Sequence, residues 1–209
     1  MALGAAFDFN TAYQPGENPV GPWRVWTTSG NASPSVQSSA AWGSAQSSLG
    51  DVPGVFRSNG SEQFTHDWQM GDMVARTSPT IGDPILISWM PSQAYSQVQY
   101  SIQLWPGTAN GVAPWFQVNV SPWGVAEFGD LATLGTFDRE HPYQLTGSLG
   151  ALDAGNEVSL LLERGRSGAL DGYVGFSFAI EATPVPEPAA LTGIVGVLLI
   201  LSRIRRVFR

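Results

Sequence analysis

In the segment Val98-Gln99-Tyr100-Ser101-Ile102-Gln103-Leu104, apolar and polar side chains alternate without a break. Successive side chains of a β-strand point to opposite faces, so the four apolar residues share one face and the three polar residues share the other. Two-faced strands are typical of antiparallel sheets that bury one surface and expose the other. The stretch therefore predicts one strand of a layered all-β domain.

Similar short runs recur along the chain and are separated by Gly, Pro, Asn, Asp and Ser. No sustained helical period occurs before the C-terminal tail, and the segment 28–51 is typical of a long loop. Evenly spaced short strands favour an antiparallel β-sandwich, jelly-roll-like in its topology. We predict ten strands, at Trp23–Thr27, Gly54–Arg57, Met73–Thr77, Ile85–Met90, Gln97–Leu104, Trp115–Val120, Gly124–Phe128, Tyr143–Ser148, Glu157–Arg164 and Val174–Ala182.

The C-terminal tail has a different composition. A Pro-rich stub, 184–188, precedes the uncharged segment 189–202, and four arginines follow: Arg203, Arg205, Arg206 and Arg209. As a helix the 14 uncharged residues would rise about 21 Å, which is short for a bilayer of roughly 30 Å. Apolar residues between the arginines lengthen the segment, and arginine side chains can snorkel to the headgroups. We predict a single transmembrane helix with an arginine membrane stop; the alternative is a C-terminal core helix with a polar end.

The arginines predict the orientation of that helix, since positive charge stays on the cytoplasmic side of a membrane. The C-terminus would then be cytoplasmic, and residues 1–188 would lie outside. Pro186 and Pro188 resist helix continuation and make the stub stiff and extended.

This tail resembles the PEP-CTERM sorting signal of Gram-negative bacteria, with Val185, Pro186, Glu187 and Pro188 as the sorting motif. The resemblance covers about the last 25 residues. It implies an exported protein, anchored in the bacterial inner membrane by the helix and processed there by an exosortase. It also implies release to the cell surface or to the extracellular matrix of biofilm-forming, exopolysaccharide-producing cells.

The body resembles, more weakly, the jelly-roll-like ectodomains of exported PEP-CTERM proteins. The similar segments are Asn18-Pro19-Val20-Gly21-Pro22-Trp23, Gly71-Asp72-Met73-Val74, Ile85-Leu86-Ile87-Ser88-Trp89 and Ala154-Gly155-Asn156-Glu157-Val158. In the last of these, Asn156 replaces an Asp that is usual in the group. The resemblance supports the β-sandwich and says little about what the sandwich does.

Composition excludes several function classes. The chain has no cysteine, so disulfides, thiolate metal sites and cysteine nucleophiles are excluded. Residues 1–188 contain six arginines, no lysine and all 17 acidic residues, a formal net charge of −11. Nucleic acid requires a basic surface, so we expect no nucleic-acid partner.

The N-terminus is small and apolar without a basic region before it. We interpret residues 1–6 as the remnant of a signal peptide. The predicted organisation is therefore this remnant, an extracellular β-sandwich at 7–182, a Pro-rich linker with the sorting motif at 183–188, and the helix with its Arg-rich end at 189–209.

Motifs for chemistry are sparse. His66 and His141 lie far apart in sequence and lack a zinc-binding or nucleophile context, and no spacing selects one pair among the carboxylates for glycoside hydrolysis. We assign no catalytic residue and expect no cofactor. Asp130, Asp138 and Glu140 fall in one predicted loop, 129–141, and are candidate ligands of a structural calcium ion, with solvated turn acids as the alternative.

The chain contains eight tryptophans, which can either fill a core or contact a ligand. Trp89 and Trp105 belong to strongly apolar strands, and we predict them in the core. Trp68, Trp115 and Trp123 lie near turns and are candidate glycan contacts, because exposed indole faces stack on sugar rings.

The sequence thus predicts an exported surface or matrix protein with a PEP-CTERM tail and a non-catalytic, structural or adhesive β-sandwich. The alternative is a carbohydrate-binding module of the exopolysaccharide matrix. A secreted glycoside-active enzyme comes third.

The sorting hypothesis makes a prediction for the protein isolated from its own host. Intact-mass analysis should find a chain lacking the residues after about Pro188 in the medium when the exosortase is present. Without the exosortase, the full-length chain should stay in the membrane fraction. A full-length C-terminus in the membrane in both backgrounds would show a permanent anchor instead.

Overall fold

The computed structural model describes nine ranges of the chain: 4–14, 17–27, 35–36, 54–58, 68–77, 84–106, 115–120, 124–163 and 173–185. Among these residues, no helix combines the length and the apolar character needed to cross a membrane. The predicted transmembrane helix and arginine stop, and all of the sorting motif except Val185, lie outside the described ranges.

Twelve strands and two four-residue helices make up the described part of the chain. The strands are β1 (Ala5–Asp8), β2 (Trp23–Thr27), β3 (Ser35–Val36), β4 (Gly54–Arg57), β5 (Met73–Arg76), β6 (Ile85–Trp89), β7 (Tyr95–Pro106), β8 (Trp115–Val120), β9 (Gly124–Asp130), β10 (Tyr143–Leu152), β11 (Val158–Glu163) and β12 (Tyr173–Pro184). The helices are α1 (Phe9–Ala12) and α2 (Leu131–Leu134).

The strands form two six-stranded sheets, and every pairing is antiparallel. Sheet A has the order β10-β7-β12-β5-β4, with β1 added to β12, and sheet B has the order β3-β2-β6-β11-β8-β9. The prediction of an all-β antiparallel architecture is confirmed, and all ten predicted strands are present with ends shifted by at most a few residues.

The core consists of the inward side chains of both sheets. On β7 the inward residues Val98, Ile102 and Leu104 are fully buried, as the alternation predicts. Large rings from both sheets meet there: Trp23 of β2 lies 5.0 Å from Phe178 of β12 between ring centroids, in an edge-to-face arrangement. Because one face of each sheet is apolar and enclosed, the opposite faces are free to differ in chemistry.

Two residues of the segment interpreted as a signal-peptide remnant form part of a strand. Ala5 and Ala6 belong to β1 and pair with β12. Asp8 then begins α1, because its carboxylate accepts hydrogen bonds from the backbone N–H groups of Asn10 (2.8 Å) and Thr11 (3.4 Å). At the other end β12 continues to Pro184, two residues beyond the predicted boundary.

Tyr13 closes this N-terminal segment over the core. Its ring is buried, and its hydroxyl is 3.5 Å from the backbone oxygen of Val55. The Arg57 guanidinium lies 5.3 Å from the ring centroid and donates hydrogen bonds to the backbone oxygens of Asn10 and Tyr13. Burial raises the pKa of Tyr13 to about 12, against the opposing effect of the Arg57 charge.

This raised pKa predicts an alkaline loss of stability. The folded state holds the Tyr13 proton more tightly than the unfolded state, so the stabilisation is complete below pH 10 and is lost as the pH rises toward 12. Tyr13→Phe keeps the ring and removes the titration. Urea unfolding at pH 9 and at pH 12 gives the free energy of unfolding at each pH. Between these two values, the free energy of unfolding of the variant should fall by roughly 2–3 kcal/mol less than that of the parent protein. Parallel losses in both proteins would contradict this assignment.

Candidate functional site

The outer surface of sheet A carries a continuous set of polar side chains, which we name the polar face. It is formed by the outward positions of the three longest strands, β7, β10 and β12. Its members are Gln97, Gln99, Ser101, Gln103, Gln144, Thr146, Ser148, Ser177, Ala179, Glu181 and Thr183. Ten of the eleven carry an amide, a hydroxyl or a carboxylate, and Glu181 is the single charged member.

Strand register aligns these side chains into rows. Gln99 of β7 lies between Ser148 of β10 and Glu181 of β12. In the same way, Ser101 lies between Thr146 and Ala179. Directly paired residues on one face of a sheet are close enough to act on the same ligand, so each row is a unit of two or three polar side chains.

The next row contains Gln103, Gln144 and Ser177, with the Ser177 hydroxyl donating to the Gln103 side-chain oxygen at 3.4 Å. Gln103 thus keeps its amide N–H groups for other acceptors. Every row presents both hydrogen-bond donors and acceptors.

Two adjoining depressions lie in the polar face. One of about 410 Å³ is lined by the Gln99 and Ser101 rows. A second of about 350 Å³ is lined by Gln97, Gln99, Glu181 and Thr183 together with residues of β1. Since Gln99 and Glu181 line both, the two depressions form one shallow channel across β10, β7, β12 and β1.

Trp105 bounds the polar face at one end. It follows Gln103 on the outward side of β7 and pairs with Gly175 of β12. The Trp105 indole lies directly over Gly175, where an added Cβ would collide with the ring. Trp105 is buried, as predicted, but on the outer surface of the sheet and outside the core between the sheets.

Beyond Trp105 the outer surface of sheet A becomes aromatic. Phe56, Val74 and Tyr173 form a small buried cluster, and Trp68 packs against it. Trp68 meets the Tyr173 ring at 5.6 Å and the Phe56 ring at 6.1 Å, both edge-on. The channel is therefore confined to the half of the sheet that lacks this covering.

On the inner side of β7, an acidic residue reaches toward two phenols. Glu127 of β9 faces Tyr100 and Tyr143, and burial followed by the Glu127 charge raises the pKa of both hydroxyls. A hydrogen bond to Glu127 adds to the rise for Tyr100. The Tyr100 ring also fills the space beside Gly147, so this cluster is a packing element beneath the polar face.

Two of the three tryptophans predicted as glycan contacts are described, and they lie in different parts of the domain. Trp68 is half-buried on the outer surface of sheet A, whereas Trp115 is half-buried at the start of β8 in sheet B. Trp123 lies outside the described ranges.

The predicted calcium ligands lie near the second helix. Asp130 ends β9, and α2 follows it, so the predicted loop 129–141 is partly strand and helix. Asp138 accepts hydrogen bonds from the His141 backbone N–H (2.6 Å) and contacts its ring, and these bonds lower the pKa of Asp138. Within the described ranges, no three His, Asp or Glu side chains cluster closely enough to hold a metal ion.

Other acidic residues that could serve in glycoside hydrolysis include Asp67, Asp72 and Asp83, of which the structure describes Asp72. Asp72 forms a two-point ion pair with Arg139, with one N–O distance of 3.0 Å, and accepts a backbone bond from Gln69. His66, Asp67 and Asp83 lie outside the described ranges.

The sequence analysis did not identify the polar face as a candidate site, although the alternation in β7 indicated part of it. The alternation in β7 already placed Gln99, Ser101 and Gln103 together on one face. What the alternation could not show is which strands flank β7, and hence that hydroxyl and amide groups continue on both sides.

Comparison with known proteins gives no family. No family model matches the chain, and no curated protein matches it.

Several solved structures are similar in strand arrangement. The xylan-binding module CBM15 has 9% identity and a TM-score of 0.45, covering 88% of this chain and 100% of that one. The K2 cleaved adhesin domain of Lys-gingipain has 10% identity and a TM-score of 0.43, covering 87% and 99%. The CBM22-1 xylan-binding domain from Paenibacillus barcinonensis Xyn10C has 10% identity and a TM-score of 0.39, covering 88% and 97%. TM-scores below 0.5 at such identities carry no information about function.

The Trp105–Gly175 contact predicts a strong effect of a single methyl group. Gly175→Ala should lower the free energy of unfolding by about 1–3 kcal/mol, because the new Cβ forces the indole out of place. Ser177→Ala, on the same strand and face, adds no atoms and should cost less than about 1 kcal/mol. Urea unfolding followed by tryptophan fluorescence measures both, and equal losses would contradict the contact.

Proposed function

We propose that this protein is an exported, non-catalytic β-sandwich that binds a polysaccharide along the polar face, with a PEP-CTERM-type sorting tail. The observation that supports it most is the chemistry of the outward side chains of β7, β10 and β12. They are amides and hydroxyls arranged in register over a shallow channel.

The hydrogen-bonding groups of the polar face suit a polyhydroxylated ligand. Each sugar hydroxyl is both donor and acceptor, and amide and hydroxyl side chains offer both functions in turn. A ligand that lies across the Gln99 and Ser101 rows meets such groups from three strands at once. The register of the sheet spaces them at fixed intervals, which suits a chain of repeating units.

The charge distribution is compatible with a neutral or weakly charged polymer. Residues 1–188 carry a formal net charge of −11, whereas the eleven positions of the polar face include one charged side chain, Glu181, with Asp8 of β1 beside Ala179 at its margin. Since no basic side chain occupies these positions, charge would not draw a polyanion to the polar face. This distinguishes the polar face from a nucleic-acid surface, which requires clustered basic residues.

A protein partner fits the polar face less well. The centres of protein interfaces are enriched in aromatic residues, Met and Arg, and the eleven outward positions contain none of these. A hydrated surface of amides and hydroxyls is better suited to a ligand that is itself hydrated.

A second candidate is the structural or adhesive role. On β9, the last strand of sheet B among those described, Phe128 is 70% exposed and Val125 is 51% exposed. Apolar side chains on an edge strand favour pairing with another chain. Concentration-dependent association that Phe128→Ser abolishes would support this role.

In both roles, the C-terminal tail would direct the β-sandwich to the extracellular matrix. This sorting function is supported by the order of the Pro-rich stub, the uncharged segment and the arginines at 184–209. A sandwich that binds matrix polysaccharide and is released next to it would be retained there without a covalent anchor.

Binding to polysaccharide can be measured by calorimetry with the full-length chain in a zwitterionic detergent that contains no sugar. We expect saturable binding to at least one soluble polymer in a panel of neutral glycans. The double variant Gln99→Ala/Gln103→Ala should weaken it about fivefold or more, because two hydrogen-bonding amides are lost.

The matched control makes the same chemical change on the other sheet. Gln117 and Asn119 of β8 lie on the outward side of sheet B and hydrogen-bond to each other. Gln117→Ala/Asn119→Ala should leave the affinity unchanged. An absence of binding across the panel, or an equal loss in both double variants, would overturn the proposed site.

A further inference from the structure

A separate recess lies at one end of the sandwich, and we name it the end pocket. It is lined by Phe7 of β1, by the start of β2 and the two residues before it, by residues 89–92 and Tyr95, and by Gly155 in the turn before β11. Its volume is about 440 Å³, within the usual range for small-molecule sites. It shares no lining residue with the two depressions of the polar face. The end pocket is therefore a second potential binding site.

Three aromatic rings form one wall of the end pocket. Phe7 of β1 lies 5.3 Å from Trp89 and 6.0 Å from Tyr95 between ring centroids, and Trp89 lies 5.6 Å from Tyr95. Trp89 and Tyr95 are buried, whereas Phe7 is partly exposed. The two inner rings thus hold Phe7 in place as an apolar platform at the pocket surface.

Arg24 of β2 supplies a positive charge to the same pocket. Its guanidinium contacts the Met90 sulfur at 3.0 Å, which is a weak acceptor. The carboxylate of Glu157 instead accepts a hydrogen bond from Ser88, the residue opposite Arg24 in the sheet. Among the described residues, no carboxylate forms an ion pair with Arg24.

The other lining groups also favour an acceptor-rich ligand. None of the described residues that line the end pocket is acidic, although residues 1–188 as a whole are strongly acidic. The Tyr95 hydroxyl accepts a hydrogen bond from Gln93 at 3.3 Å, which leaves its own proton available.

The rim of the pocket is held by backbone hydrogen bonds. The Met90 N–H donates to Pro22, and the Gly155 N–H donates to Pro91, both at 2.8 Å. Gly155 has a φ of +79°, which favours glycine, and the space where a Cβ would be is empty. The opening is therefore both fixed and unobstructed on that side.

These features select among ligand classes. Aromatic walls alone would suit a quaternary ammonium group, but the Arg24 charge repels cations. A neutral sugar would use the Phe7 platform and leave the guanidinium without a partner. A sugar that carries a carboxylate uses both, since its C–H face packs on an aromatic ring while the carboxylate pairs with arginine.

We propose that the end pocket binds a uronic acid unit, the carboxylate-bearing sugar of an acidic polysaccharide. The proposal rests on the proposed function that the chain binds polysaccharide, and it adds a ligand class and a second subsite. Neutral stretches of a polymer would lie on the polar face, and an acidic unit would occupy the end pocket.

The test compares two ligands that differ at one carbon. Methyl glucuronoside carries a carboxylate where methyl glucoside carries a hydroxymethyl group. Calorimetry with the full-length chain, in a sugar-free zwitterionic detergent, should show tighter binding of the glucuronoside. The preference should weaken as salt is raised, because the added affinity is electrostatic.

Arg24→Gln removes the charge and keeps much of the side-chain length. It should weaken glucuronoside binding roughly tenfold to a hundredfold, while Arg24→Lys should retain part of the affinity. Asn119→Ala, on the outer surface of sheet B, should leave it unchanged. Thermal unfolding of each variant shows whether a loss of binding reflects a loss of fold.

Neutral polysaccharide binding by the same samples separates the two proposals. Arg24-dependent glucuronoside binding without any neutral binding would support the end pocket and overturn the polar face. Binding of a neutral polysaccharide, together with equal affinities for the glucuronoside and the glucoside, would support the polar face and overturn the end pocket. Acetate or a peptide C-terminus binding as tightly as the glucuronoside would show a general carboxylate site and overturn the sugar assignment. Failure of all ligands would overturn both proposals.

Discussion

The structure depends on the alternation of apolar and polar side chains from Val98 to Leu104 of β7 and along the segments of β10 and β12 that pair with it. The inward residues of β7, β10 and β12 close one side of the core, where Ile102, Leu104 and Phe178 are fully buried. That burial holds the sheet in one register, since a shift by one residue would turn the apolar side chains to water. The same constraint places Gln99, Ser101 and Gln103 on the outside, in line with the polar residues of β10 and β12.

The proposed binding surface and the core between the sheets lie on opposite faces of sheet A. Trp105 over Gly175 and the cluster around Phe56 cover one half of the outer surface, which leaves the other half open. The end pocket arises differently, at the edge where β1 joins β12 and brings Phe7 against Trp89 and Tyr95. A four-residue strand at the N-terminus thus completes a site whose charge comes from sheet B.

Sequence reasoning recovered the parts that depend on local pattern. All ten predicted strands exist because their alternation or β-branched content is strong. Ala5–Asp8 was missed since Ala-Ala-Phe-Asp has little intrinsic β preference and becomes a strand only by pairing with residues more than 170 positions away. The choice of Trp68 and Trp115 rested on nearby turns, whereas long-range packing decides their surroundings. Trp68 packs on the outer surface of sheet A from the segment before β5, and Trp115 begins β8 of sheet B. The Pro-rich and arginine-rich tail is predicted from local composition alone, and apart from its first residues it lies outside the described ranges.

The proposal that the polar outer face of sheet A binds glycan can be tested by an amide chemical-shift map. The map is recorded with uniformly ¹⁵N-labelled protein and a neutral oligosaccharide of the polymer that binds most tightly. If the proposal is correct, we expect perturbations concentrated on β7, β10 and β12, including the side-chain amide groups of Gln99 and Gln103. Perturbations confined to sheet B, or none at saturating oligosaccharide, would contradict it.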